Sequence, residues 1–132
     1  MKIKLTDAVS QAAEMRASKL RAKIQKEAQI TCIAIPEDMS IRGNCMASGD
    51  DKVDEDCALE IERQLNAGNE WAWCQVKVEA RWNGLRGVDY LGGCSYASKA
   101  DFMRPGDYYD DMLAQAIDQI YEQAIAIAKE VQ

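Results

Sequence analysis

An alternating strand that runs directly into a tight-turn dipeptide is the feature that most limits how this chain can fold. In residues 70–82 one side of the strand carries Ala72, Cys74, Val76, Val78, Ala80 and Trp82, and the other carries Trp71, Trp73, Gln75, Lys77, Glu79 and Arg81. Asn83-Gly84 follows, and this pair favours the type I′ turn of a hairpin. The second strand is predicted from about Leu85 to Tyr96, with a bulge near Gly92 and Gly93.

The register of this hairpin is open at the level of the sequence. A two-residue loop places Asp89 opposite Val78, whereas a four-residue loop places Leu91 opposite Val78. The second register buries apolar groups more cleanly and is therefore the one favoured by the pattern.

Helical periodicity surrounds the hairpin. Apolar residues recur at three- and four-residue steps over 6–28, 48–66 and 108–131, which predicts three helices, with Ser48 as N-cap of the second. Residues 98–106 predict only a short turn. The run 30–35 is apolar on both faces, which is more typical of a central strand than of an edge strand.

These elements predict the α+β fold class. A small antiparallel or mixed sheet, made of one strand plus a hairpin, is packed by three helices in the order α-β-α-β-β-α. The length of 132 residues is that of one ordinary domain, so a single domain over 1–132 is expected.

Composition excludes several kinds of function. Sixteen basic and 22 acidic side chains give a net charge of −6, which argues against direct nucleic-acid binding as the main role. The chain has no histidine, which removes histidine-based triads and histidine-ligated zinc. The five cysteines form no C-x-x-C pair and are expected to be reduced, mostly buried thiols. We therefore expect no catalytic residues, no metal and no cofactor, and a protein that is not an enzyme.

The sequence also predicts a cytosolic location. The first 30 residues contain no apolar segment of the kind that directs secretion. No apolar run approaches the ~20 residues that a transmembrane helix needs, so no contact with a membrane is expected.

Clustered carboxylates are the first candidate for a functional surface. Seven lie within thirteen residues: Asp50, Asp51, Asp54, Glu55, Asp56, Glu60 and Glu62. Asp107, Asp110 and Asp111 form a second group at the start of the last helix. A solvated helix face is the simplest interpretation, and the spacing fails the pattern of a calcium loop. The alternative is a surface that imitates nucleic-acid phosphates or binds a basic partner.

Aromatic residues are the second candidate. Trp71 and Trp73 share a predicted strand face with Lys77 and Arg81, which suggests that the two indoles are partly exposed and anchor a partner. Tyr108 is a further exposed candidate at the start of the last helix. The alternatives are packing of this face under a helix, or stacking of a base or nucleotide on an indole.

Three strings carry a resemblance to a known group of proteins. They are SIRGNCMASGDD at 40–51, GNEWAWC at 68–74 and LGGCSY at 91–96. Over about residues 40–112 the chain resembles a family of small, functionally unassigned proteins carried by phages and prophages. The resemblance implies an accessory factor in the cytosol of a bacterial host, of the kind that includes anti-CRISPR and other anti-defence proteins; it carries over no catalytic residue.

The functional expectation follows from these features together. We expect a non-enzymatic inhibitor that binds a host protein or nucleoprotein complex with a basic surface, with imitation of DNA by its acidic helix faces as one mode of binding. One alternative is a nucleotide sponge or sensor in which Arg42, Arg81 and Arg86 hold phosphates and a tryptophan stacks. Another is a phage structural or assembly component. A homodimer is expected from the apolar surface of the first and last helices.

Overall fold

A computed structural model describes residues 5–130, with side chains from residue 10 onwards. The helices are α1 (Leu5–Glu27), α2 (Asp51–Asn66), α3 (Lys99–Phe102) and α4 (Tyr108–Glu130), and the strands are β1 (Gln29–Pro36), β2 (Cys74–Trp82) and β3 (Leu85–Cys94). A single 3₁₀ turn, Glu70–Ala72, precedes β2. The predicted end of the last helix at residue 131 lies outside the described residues.

The α+β class is confirmed, with four helices in the described residues instead of three and a purely antiparallel sheet. The additional helix is α3, where only a turn was predicted; Ser98 caps it by accepting a hydrogen bond from the amide of Asp101. The N-cap of α2 is Asp50 and not Ser48, because the Asp50 carboxylate accepts from the amides of Lys52 and Val53. Among residues 5–130, no helix combines the length and apolar character that a membrane span requires.

The strand order is β1-β2-β3, so β2 is central and β1 is an edge strand. The expectation that residues 30–35 form a central strand was wrong. A run that is apolar on both faces predicts burial of both faces, but here one face of β1 is covered and the other is not: Cys32 is buried while Ile33 remains 47% exposed.

The hairpin turn decides the register that the sequence left open. Asn83 and Gly84 both have positive φ, 49° and 80°, as a type I′ turn requires. The two-residue loop therefore opposes Asp89 to Val78, and the favoured four-residue register was wrong. The predicted bulge is confirmed: between the pairs Val76–Leu91 and Cys74–Cys94, β3 contains one residue more than β2.

The helices α4, α1 and α3 cover one face of the sheet, with Phe102 of α3 buried against it. α4 lies across β3 and β2, and α1 packs on α4. The approach of α4 is very close at Gly87, where an added Cβ would lie 1.9 Å from the carbonyl oxygen of Ala116. Ile117 and Ile120 of α4 are fully buried in this layer. No helix within residues 5–130 forms such a layer on the second face, and this asymmetry determines which residues are available for binding.

Candidate interaction surface

The face of the sheet that turns away from α4 forms an uncovered surface, called the open face below. Residues that are paired across an antiparallel ladder share a face, so the register defines its members. They are Gln29, Thr31, Ile33 and Ile35 of β1, Gln75, Lys77, Glu79 and Arg81 of β2, and Arg86, Val88 and Tyr90 of β3. Ile33 and Tyr90, on opposite edges, are each 47% exposed. The open face therefore presents apolar side chains at both edges and charged ones at its centre.

Glu79 is at the centre of the open face and is only 6% exposed. Its Oε2 accepts a hydrogen bond from Nε of Arg81 at 3.0 Å, its Oε1 accepts from Nε of Arg86, and Nζ of Lys77 lies 3.8 Å away. Burial raises the pKa of Glu79, but the hydrogen bond from Arg86 and the three surrounding cations outweigh it, so the pKa lies below its usual value. Glu79 is thus an ionised carboxylate at neutral pH.

The geometry around Glu79 orients two arginines and leaves their ends available. Arg81 and Arg86 each use Nε to bind Glu79, and within the described residues no hydrogen bond ends on the terminal amino groups of either side chain. Both side chains remain more than half exposed. Because three cations surround one carboxylate, this cluster has a net charge of +2 in a chain whose net charge is −6. Guanidinium groups held in this way match the geometry of a carboxylate or phosphate.

A groove of about 620 Å³ adjoins the two arginines at the hairpin end of the sheet. Its lining includes Arg81, Trp82, Arg86 and the turn residues Asn83 and Gly84. Trp82 is half-buried, and its indole Nε1 donates to the carboxylate of Glu27 at 3.1 Å. The volume lies within the range of small-molecule sites, roughly 300–1,000 Å³.

Arginines pair with several of the carboxylates of the first acidic group. Arg42 binds Glu55 and Glu62, and Arg63 binds Glu60. The hydrogen bond from Arg63 lowers the pKa of Glu60 to about 2, and the bond from Arg42 lowers that of Glu55. Three of the seven carboxylates therefore have an arginine partner.

The other carboxylates of this group have local roles or face solvent. Asp50 caps α2, and Asp54 accepts from the amide and hydroxyl of Ser48. Asp51 and Asp56 are exposed. The negative field of this group is thus weaker than the sequence suggested.

The second acidic group lies near the C-terminal end of α2. Asn69, just beyond the C-terminal end of α2, donates to the carbonyl of Tyr96, whose ring packs on Phe102. Phe102 in turn packs on Tyr109 in the first turn of α4. Asp107, Asp110 and Asp111 surround that turn, whereas Asp50 lies at the N-terminal end of α2, ~24 Å away along a 16-residue helix. The helix therefore separates Asp50 from the second group, whereas Glu60 and Glu62 lie in its last two turns.

The exposure expected of Trp71 and Trp73 was wrong. Both are buried, because the 3₁₀ turn directs them into the core and not onto a strand face. Trp71 packs against Phe102 with ring centroids 5.8 Å apart, and Nε1 of Trp73 donates to the carbonyl of Met39 at 2.8 Å. Tyr108 is exposed, as expected.

The thiols are in the state that the sequence predicted. All five cysteines are free, and Cys32, Cys74 and Cys94 are buried. Burial raises the pKa of Cys74 to about 12 and that of Cys94 to about 11, so neither is a thiolate at neutral pH. Within the part of the chain described, no three His, Cys, Asp or Glu side chains are grouped to hold a metal ion.

The sequence identified only part of this surface. Arg81 and Arg86 were considered as phosphate ligands, but Arg42 is bound to α2, and Glu79, Ile33 and Tyr90 were not considered. The signal that could have found the cluster was the Asn83-Gly84 turn, because a two-residue loop places Arg86 directly opposite Arg81 and beside Glu79.

Comparison with protein-family models, curated proteins and solved structures found no match for this chain. The resemblance to phage and prophage proteins described above therefore stays a prediction.

Proposed function

We propose that this protein is a non-enzymatic binding protein that acts through protein–protein contact, and that its docking surface is the open face. The observation that supports this most is the Glu79-centred pair of oriented arginines on a sheet face that none of the described helices covers. Arginine and tyrosine are the residue types that most often dominate binding energy at interfaces, and Tyr90 and Ile33 flank the arginines with exposed apolar area.

The partner is an acidic segment of another protein. The Glu79 cluster has a surplus of positive charge, and the terminal amino groups of Arg81 and Arg86 are available to bind a carboxylate. Following the resemblance to phage proteins, we place this partner in a host defence complex. Imitation of nucleic acid by α2 needs adjacent unpaired carboxylates, and the ion pairs of Arg42 and Arg63 reduce that field. The carboxylates of α2 are therefore not the basis of this proposal.

Capture from a bacterial lysate with paired variants tests the proposal. The bait is the full chain as wild type, as Arg81→Gln with Arg86→Gln, and as Arg63→Gln. Arg63 is a matched control because it is also paired with a glutamate, and its side chain is 69% exposed against 66% for Arg81. We expect captured proteins that wild type and Arg63→Gln retain, and that the double variant and high salt release.

Two results contradict the proposal. One is capture of the same proteins by all three baits, which would place the contact elsewhere. The other is no specific capture by the wild type at any salt concentration.

A second candidate function is supported by the groove beside Arg81 and Arg86. Trp82 lines this groove together with the two arginines, so a phosphorylated small ligand such as a nucleotide has cations for its phosphate and an indole beside it. Native mass spectrometry of the protein purified from cells distinguishes the two functions. A bound nucleotide that is lost in Arg86→Gln favours this candidate, whereas an empty preparation rejects it.

A further inference from the structure

The two edges of the sheet are treated differently in this protein. The outer edge of β3 is closed by α4: the side-chain amide of Gln119 donates to the carbonyl of Val88 at 2.8 Å and accepts from its amide at 2.9 Å. Gln123 donates to the carbonyl of Arg86 at 2.7 Å. These side chains take the place of a neighbouring strand. Capping of this kind protects an edge from pairing with another chain.

The same bonds show which backbone groups of β1 face outward. The backbone amide and carbonyl of Val88 point away from β2. Glu79 is paired with Val88, so the backbone amide and carbonyl of Glu79 point towards β1, where they bond to Thr31. Alternation along β1 then points the amides and carbonyls of Ile30, Cys32 and Ala34 away from the sheet. Apart from the β1–β2 ladder, no hydrogen bond in the described part of the chain ends on the backbone of residues 29–36.

β1 also lacks the features that protect exposed edges. Its sequence QITCIAIP contains no charged residue, its pairing with β2 shows no bulge, and its one proline is the last residue. Edge strands of monomeric proteins are usually protected by lysine, by an internal proline, by a bulge or by a cover. One edge of this sheet is therefore capped and the other is open.

We propose that a second copy of this chain pairs with the open edge, β1 against β1 in antiparallel orientation, to form one six-stranded sheet. A twofold axis places each residue of β1 opposite a residue of the second copy's β1 whose side chain lies on the same face of the sheet. Centred on Cys32, it pairs Ile30 with Ala34 and satisfies the outward amides and carbonyls of Ile30, Cys32 and Ala34.

A second copy is the fitting occupant because β1 complements itself. An uncharged strand brings no like charges across the new ladder, and Thr31 meets Ile33 of the second copy as a β-branched pair. The axis is perpendicular to the sheet, so both helix layers stay on one side and both open faces on the other. The dimer presents two Arg81–Arg86 pairs on one continuous surface.

Light scattering coupled to size exclusion tests the assembly, and Ala34→Pro tests the edge. We expect wild type to show twice the chain mass of 14.7 kDa at high micromolar concentration. Proline at position 34 removes an outward amide and leaves the bonds to β2 intact, so Ala34→Pro is expected to be a folded monomer. Ile33→Lys is expected to weaken the dimer by about tenfold or more, because two lysines then lie near the axis.

Controls locate the interface. Tyr90→Lys makes a similar change at equal exposure on the capped edge and is expected to remain dimeric. Met15→Lys changes an exposed residue of α1 and reports on a dimer formed by the helices. A wild-type monomer, or a dimer that Met15→Lys breaks while Ala34→Pro and Ile33→Lys leave it intact, would overturn the proposal.

Hydrogen exchange gives a readout that does not depend on a variant. In the dimer the amides of Ile30, Cys32 and Ala34 are protected, and on dilution to the monomer they lose that protection. The amides of Thr31 and Ile33 bond to β2 and stay protected in both states. Fast exchange at Cys32 in the concentrated protein would overturn the proposal. The outcome is independent of the capture experiment with Arg81 and Arg86.

Discussion

The close contact between α4 and β3 makes Gly87→Ala a sharp test of the packing. A Cβ at this position would lie 1.9 Å from the carbonyl oxygen of Ala116 and 2.7 Å from its carbonyl carbon, whereas ordinary van der Waals contact begins at 3.4 Å. The atoms that are met belong to helix backbone and cannot rotate away. α4 would have to move by roughly 1.5 Å, which loosens the packing of Ile117 and Ile120 against the sheet.

The magnitude follows from the cost of overpacking. Extra methylenes in a packed core lower the free energy of unfolding by about 1–3 kcal/mol. A clash with rigid backbone costs as much as the upper end of this range or more, so we expect Gly87→Ala to lower the free energy of unfolding by about 3 kcal/mol. Unfolding entropy scales as about 2.1 cal/mol/K per residue, or about 0.28 kcal/mol/K for this chain, so Tm should fall by about 10 °C.

Gly92→Ala is the matched control on the same strand. There the new Cβ would lie 3.1 Å from Oε2 of Glu37, the end of a flexible side chain that can shift. Alanine has less backbone freedom than glycine in the unfolded chain, which stabilises the folded state and offsets the cost of the small contact. The free energy of unfolding should therefore change by no more than about 1 kcal/mol. Both variants are measured by urea denaturation and by thermal melting. Equal stability of the two variants would refute the close approach of α4 to β3.

Two further predictions concern the capped edge and the buried thiols. Gln119→Leu should lower the free energy of unfolding by about 1–2 kcal/mol in urea denaturation, because Val88 loses two hydrogen bonds, while Gln115→Leu on the exposed side of α4 should not. The pKa of Cys74 is raised to about 12 from its usual 9.0, so between these values only the unfolded state releases the proton. Stability should therefore fall by roughly 1.4 kcal/mol per pH unit above pH 9 from this thiol, less steeply in Cys74→Ala, and equal slopes would contradict the assignment.

The open face shows where inference from sequence was sufficient and where it was not. The alternation over 74–82 correctly separated the two faces of β2, and Asn83-Gly84 correctly placed the turn. The register was misjudged because the apolar pairing of Leu91 with Val78 was given more weight than the turn. The positive φ values of Asn83 and Gly84 fix the loop length, and the resulting register brings Leu91 opposite Val76 on the covered face, before the bulge.

Burial of the tryptophans could not be read from the sequence. The alternating pattern assigned Trp71 and Trp73 to the face of Lys77 because it treated residues 70–82 as one strand. A 3₁₀ turn, begun by Asn69 accepting from the amide of Trp71, breaks the alternation before β2 begins. The side chains of α2 and α3 then cover the two indoles, and these contacts are distant in sequence.

Local patterns by themselves determined the α+β class, the positions of the three long helices, the hairpin and the reduced thiols, because each depends on residues that are neighbours along the chain. Only the tertiary structure decided that β1 is an edge strand and that α4 covers one face of the sheet and caps the β3 edge. The same is true of the ion pairs that Glu79 forms with Lys77, Arg81 and Arg86. The physical reason is that burial and ion pairing are set by which elements meet across the fold. Gly87 permits α4 to pack closely on one face of the sheet. Arg81 and Arg86, which the turn places opposite each other, lie on the open face.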